Sequence, residues 1–199
     1  MKKIGTAIIM AGGKSSRLGF DKQLIRVGEN YLIDIIIDNL YKFFDEIIIV
    51  TNKNRTYNNK NIIVMEDEIK NVGPLGGLYV GLKKSTSIYS YVIACDMPYI
   101  NNGYIKYMTN IIKKQKVGYA LITQFGQWIE PFNAFYSRGI VKYIEEHLNR
   151  GQRSIHSLMK KLEVTYINEK TARRFSPNWE MFYNINTKEE LDEYLTFKF

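Results

Sequence analysis

The sequence predicts an α/β fold built from parallel strand–helix–strand units. Two observations carry that expectation. Short apolar, β-branched runs alternate with longer runs of helical periodicity along the whole chain. The residues best suited to chemistry, in the 10–22 loop and at Asn52, Asp67 and Asp96, each follow a strand-like run, and open parallel sheets bind ligands at the carboxyl ends of their strands.

The elements follow in order. Residues 4–10 read as a buried strand and 11–21 as a loop. Residues 31–43 have apolar positions at helical spacing, with Asp34 and Asp38 on the polar side. Residues 46–51 and 61–66 read as strands. Pro74, a favoured first helical residue, opens a helix that runs to about Ser85. Residues 90–96 read as a strand ending in an acid. Asn101 caps a helix to about Gln115. Residues 118–123 and 129–136 read as strands, 139–149 and 154–162 as helices, 163–168 as a strand. Thr187 caps a closing helix to Leu195.

The 199 residues and 45% apolar content suffice for one core, and no linker, repeat or low-complexity block divides the chain, so one domain over 1–199 is expected. The net charge of +8 favours anionic partners. The basic residues are scattered, and no RNA-binding or zinc-finger pattern accompanies them, so nucleic acid is not expected as a partner. Cys95 is the only cysteine, which excludes an internal disulfide and a thiolate-built zinc cluster. The N-terminal apolar run is too short for a signal peptide or a membrane span. A cytoplasmic protein without membrane contact is expected.

The loop "MAGGKSSRLGFDK" from Met10 to Lys22 reads as a phosphate cradle. Ala11, Gly12 and Gly13 let backbone N–H groups approach oxygens, and Lys14, Arg17 and Lys22 supply positive charge. It is not a P-loop, because the first glycine of that pattern falls on Ile8, and it contains no GxGxxG. An ordinary strand-to-helix turn with surface bases would look similar. Asp96, in "VIACDMPYI", suits a divalent cation such as Mg²⁺, which takes one or two protein carboxylates and fills its sphere with phosphate and water. A capping or salt-bridged aspartate fits that stretch equally well. Asp67, between Glu66 and Glu68, faces a base or ribose or belongs to an exposed acidic turn. The glycines of "GPLGGLYVG", Gly76 among them, let a nucleotide lie against the backbone or let a helix pack closely on a sheet. His147 and His156 have no partner motif and read as structural or exposed. Cys95 reads as core.

Together these motifs resemble the molybdenum cofactor guanylyltransferase family of nucleotidyltransferases. "MAGGKSSRLGFDK" is similar to that family's signature, "EDEIKNVGPLGGL" to its guanine-side segment, "VIACDMPYI" to its metal-binding strand end and "YNINTKEEL" to its C-terminal motif. The likeness is dense over residues 4–100. The resemblance implies a three-layer, Rossmann-like nucleotidyltransferase fold with a mostly parallel central sheet. The N-terminal half would bind nucleotide and the C-terminal half the pterin acceptor. It further implies transfer of GMP from GTP to the terminal phosphate of the molybdopterin cofactor, with Mg²⁺. Met10, Ala11 and Gly12 would line the guanine nucleotide. Gly13 and Arg17 would sit at the triphosphate, Lys22 would contact the phosphates, and Asp67 would approach the guanine nucleotide. Asp96 would hold Mg²⁺, with Arg17, Lys22 and Asp96 as the catalytic set. The polar residue after the second strand falls on Asn52 or on Thr51. Asn184 and Asn186 fall where the family meets the pterin. Other cofactor-assembly proteins or acceptor enzymes would be transient partners. A cytidylyl relative, a sugar-phosphate nucleotidyltransferase and a non-catalytic nucleotide-binding module are the alternatives. One departure stands out. Glu130 precedes Pro131 where many relatives carry histidine or a small polar residue. It either faces a phosphate-bearing substrate or points away.

Overall fold

The computed structural model describes residues 2–12, 22–53, 57, 61–66 and 72–198, the side chains of Lys22, Phe197 and Lys198 excepted. Its frame is a seven-stranded sheet. The strands are β1 (Lys2–Met10), β4 (Glu46–Val50), β5 (Ile62–Met65), β6 (Ser87–Ala94), β7 (Ala120–Phe125), β8 (Trp128–Ser137) and β9 (Val164–Asn168), in spatial order β5-β4-β1-β6-β8-β7-β9. β2 (Arg26–Val27) and β3 (Asn30–Tyr31) form a separate two-stranded hairpin. In the large sheet β8 alone runs antiparallel to its neighbours β6 and β7, and the other adjacent pairs are parallel.

Helices cover both faces, which is why the central strands read as unbroken apolar runs rather than alternating ones. Ala7 and Ile9 of β1 face a core shared with α1 (Leu32–Leu40), α3 (Asn102–Lys114), α6 (Glu169–Ala172) and α7 (Lys188–Lys198). Ile8 and Met10 face the other core, with α2 (Pro74–Lys84), α4 (Val141–Asn149) and α5 (Ile155–Met159). The result is three layers around a mostly parallel sheet, as expected.

Several boundaries moved. α1 stops at Leu40 rather than residue 43, and α5 covers five residues of the nine expected. β6 begins at Ser87 and ends at Ala94, so Asp96 lies in the turn beyond it. Two caps stand as read. Asn101 Oδ1 accepts from the Tyr104 N–H at 2.9 Å. Thr187 and Glu190 form a reciprocal capping box, with Thr187 Oγ1 accepting from the Glu190 N–H and Glu190 Oε2 from the Thr187 N–H.

The glycines of α2 answer one open question. A Cβ at Gly77 would stand 2.4 Å from Met10 Cε, and one at Gly81 would stand 2.7 Å from Ile8 Cγ2. Both absences let α2 lie directly on β1 and β4. Close packing therefore explains these two positions without a ligand.

Candidate active site

β1 is the switch point of the sheet. The chain leaves it toward β4 and β5 on one side and returns through β6 on the other. Such a reversal opens a crevice at the carboxyl ends of the strands. At this end the backbone pairing between neighbouring strands continues just past the ladders. Ala11 N donates to Val50 O at 2.8 Å, Thr51 N to Met65 O at 2.9 Å, and Cys95 N to Met10 O at 3.0 Å. Met10, Ala11 and Gly12 lie at the end of β1, with Met10 and Ala11 buried and Gly12 exposed.

Asp96 follows β6 on the facing side. It is 7% exposed, and its carbonyl accepts from the Ile185 N–H at 2.9 Å. That bond matters for the rest of the site. It ties the C-terminal segment to the end of β6 and brings Asn184 and Asn186, which flank Ile185, to the acid. Asn186 is fixed in turn: its Nδ2 donates to Asn184 O at 3.2 Å and its N–H to Glu190 Oε2 at 2.6 Å. Residues some ninety positions apart in the sequence are therefore neighbours here.

Thr51 and Asn52 stand in different surroundings. Thr51 is buried, and its Oγ1 accepts from Gln23 Nε2 at 2.7 Å and from the Lys53 N–H at 3.1 Å. Asn52 is exposed at the end of β4. Gln23 also donates to Ala11 O at 3.3 Å and accepts from the Tyr57 hydroxyl at 3.1 Å. This buried clasp anchors the chain just after the 10–22 loop to the ends of β1 and β4. Sequence reasoning missed it: nothing local marks Gln23, and Thr51 entered only as the alternative to Asn52; the partners meet only in the folded sheet.

The N-terminus of α2 opens on the same end of the sheet. Gly73 caps it at φ 68°, a left-handed conformation that glycine adopts at no steric cost. Gly76 is buried in the first turn, with its N–H on Gly73 O at 3.1 Å. Gly13, Arg17 and Asp67 lie outside the described residues. Of Lys22 only the backbone is described, in a short 3₁₀ turn, Lys22–Leu24.

The donor set suits a hard cation carried by phosphates. Asp96 offers a carboxylate, whereas Cys95 is 3% exposed and packs in the core, so no thiolate is offered. Among the described residues no three His, Cys, Asp or Glu side chains gather into a protein-made metal cage. Mg²⁺ bound through one or two carboxylates plus substrate oxygens needs no such cage.

The two histidines lie apart from this crevice. His147 is buried against Ser157 Oγ at 3.0 Å, and burial followed by the Lys161 charge pushes it below its ordinary value. His156 stacks on Trp128 with ring centroids 6.0 Å apart.

β8 departs from a regular strand. Thr123 pairs with Glu130 but Leu121 pairs with Phe135, so β8 carries three more residues than β7 between those pairs. The bulge contains Pro131 and Asn133, and Asn133 has φ 54°. Asn133 is 2% exposed, accepts from the Tyr91 hydroxyl at 2.6 Å and donates to Met181 O at 3.2 Å. A signal for the bulge was present. Proline cannot donate to a ladder and is confined to sheet edges and bulges, and β8 is a central strand.

Comparison with known proteins now decides the family. Residues 7–165 match the family described as the MobA-like NTP transferase domain. The chain is 51% identical over 197 residues to a probable molybdenum cofactor guanylyltransferase of Peptoclostridium acidaminophilum, covering 97% of this chain and 89% of that one. The chain belongs to the molybdenum cofactor guanylyltransferase family of nucleotidyltransferases. A second member, the molybdenum cofactor guanylyltransferase of Syntrophotalea carbinolica, is 47% identical over 96% of this chain and 91% of its own. The crystal structure of molybdopterin-guanine dinucleotide biosynthesis protein A from Archaeoglobus fulgidus superposes with a TM-score of 0.81, over 97% of this chain and 98% of that chain. Its 22% identity makes that a likeness of fold. As a nucleotidyltransferase the chain is an enzyme. Among the described residues, no helix is long and apolar enough to cross a membrane.

Proposed function

We propose that this chain transfers GMP from GTP to the terminal phosphate of the molybdopterin cofactor, releasing pyrophosphate. The observation that carries the reading is the 51% identity to a guanylyltransferase over nearly the whole chain. The crevice geometry supports it, since the family's motif residues that can be placed converge on one strand-end site. The relatives' names favour this reading over a cytidylyl or sugar-phosphate acceptor chemistry, and over a binding module without catalysis.

The terminal phosphate oxygen of the pterin cofactor forms a bond to the α-phosphorus of GTP as the bond to pyrophosphate breaks. That oxygen is already ionised near neutral pH, so the chain has no proton to remove. Catalysis is then positioning and charge neutralisation. Met10, Ala11 and Gly12 line the guanine nucleotide, with Asn52, Asp67 and Gly76 on the same side. Gly13, Arg17 and Lys22 meet the phosphates, and the two bases take up charge as it develops. Asn184 and Asn186 orient the pterin. Asp96 is the residue that would hold Mg²⁺, which when bound supplies charge neutralisation at the phosphates. The chain works as one domain over 1–199 in the cytoplasm, meeting other assembly proteins or acceptor enzymes transiently.

Isothermal titration with GTP, CTP, ATP and a sugar nucleotide, each with Mg²⁺, tests the nucleotide half. Selective binding of GTP, weakened roughly 10-fold or more in Lys22→Ala, is expected, as for a lost charge-assisted contact. Preference for CTP, or binding of the sugar nucleotide alone, would overturn it.

A further inference from the structure

Glu130, the departure in the sequence, stands at the same end of the sheet as Asp96. β8 runs antiparallel to β6, so its first residues stand at the end of the sheet where β6 finishes. The last pair of that ladder is Val92 with Ala134. Asp96 lies four residues past that pair on one strand and Glu130 four residues past it on the other. Both carboxylates therefore leave the same end of the same strand pair. Glu130 lies on the far side of β6 from β1, β4 and β5, the strands that carry the nucleotide motifs.

Glu130 is also held in place. It is half-buried, and its Oε1 accepts from the Trp179 indole N–H at 3.2 Å. Among the described residues that indole is the carboxylate's one hydrogen-bond partner. Trp179 is fixed on several sides. Its ring lies 4.7 Å from Phe182 and 5.3 Å from Phe125, and the Arg173 guanidinium sits 5.0 Å from its centroid. Trp179 has φ 72°, which is unusual for a bulky residue. Backbone strain of this kind persists only where the surroundings over-determine it, and it concentrates at ligand-facing positions. The neighbouring bulge carries Asn133, left-handed at φ 54° as asparagine tolerates, and its amide holds Met181 two positions beyond Trp179. Bulges commonly re-aim a side chain beside an active site. The bulge and the left-handed Trp179 thus lie on the two segments that hold this carboxylate.

We propose that Glu130 is a specificity residue for the acceptor, its carboxylate accepting hydrogen bonds from the 2-amino and ring N–H groups of the pterin's aminopyrimidinone edge while Trp179 holds it in register. This rests on the guanylyltransferase reading above. An ionised carboxylate is an acceptor with two oxygens, and the pterin edge presents adjacent donors. That edge is at the opposite end of the cofactor from its phosphate, so the negative charge does not oppose the reacting group. Burial pushes the Glu130 carboxyl above its ordinary value, the indole donor only partly offsetting this.

Guanine presents the same kind of edge, so the test follows both substrates. In Glu130→Gln the amide oxygen can still accept from Trp179, but an NH₂ donor replaces one acceptor. The expected result is a KM for molybdopterin raised roughly 10- to 100-fold, as for the loss of hydrogen bonds to a charged group. The KM for GTP stays within twofold, and Tm is no lower than wild type. Trp179→Phe gives a smaller rise in the same KM. An unchanged KM for molybdopterin, or a rise that falls on GTP instead, would overturn the proposal. Direct titration of molybdopterin separates the two readings. Wild-type protein that binds molybdopterin more tightly than Glu130→Gln, yet makes no guanine dinucleotide, would refute the reaction and leave the role of Glu130 standing. Equal binding by both proteins would refute that role.

Discussion

Replacing Asp96 by Asn is expected to lower turnover by about 10²- to 10³-fold or more, the cost typical of removing one preorganised electrostatic contact at a reacting centre. The side chain keeps its size and a carbonyl oxygen but loses its charge. The main-chain carbonyl of Asp96 still accepts from Ile185, so the C-terminal segment keeps its place. The fold should therefore survive, and Tm should stay close to that of the wild type. Pyrophosphate release at saturating GTP and Mg²⁺, measured beside a thermal melt, checks both halves. Near-normal Mg²⁺-dependent turnover would remove Asp96 from its assigned role.

Gly118→Ala should act on stability with no ligand involved. A Cβ there would stand 2.1 Å from the Glu163 carbonyl oxygen and 2.7 Å from its carbon. Those are backbone atoms, and the carbonyl is already held by the Tyr119 N–H at 2.7 Å. The chain around Gly118 is further tied by the Tyr89 hydroxyl, which donates to Val117 O at 2.6 Å and to Gly118 O at 3.1 Å. No flexible side chain can give way, so the start of the β7–β9 ladder must shift. The expected loss is about 3 kcal/mol, toward the severe end for single substitutions. For a chain of this size that lowers Tm by roughly 6–12 °C. A thermal melt within about 2 °C of wild type would mean that the two strands do not approach as described.

The central strands were readable because both their faces are covered, so runs such as "TAIIM" and "EIIIV" leave little choice of element. Helix starts with a side-chain cap, Asn101 and Thr187, were equally plain, since the cap bonds to residues three positions on. Pairing between distant segments was not legible. Pro131 was a local signal for the bulge, but that β8 turns against its neighbours and carries a left-handed Asn133 depends on contacts with Tyr91 and Met181, which no local pattern announces. At the site, the strand-end positions of Met10, Asn52 and Asp96 followed from order alone. Resemblance assigned Asn184 and Asn186 to the pterin without saying where they lie; their place beside Asp96 comes from the structure, through the Ile185 bond. Gln23 had no sequence signal, because a glutamine becomes a clasp only when three segments meet around it.

The most direct measurement is product identification. Purified protein is incubated with molybdopterin, Mg²⁺ and an equimolar mixture of GTP and CTP, and the pterin product is resolved by mass. The predicted result is molybdopterin guanine dinucleotide with one pyrophosphate released per product. A cytosine dinucleotide as the main product, or nucleotide turnover with the pterin unchanged, would contradict it.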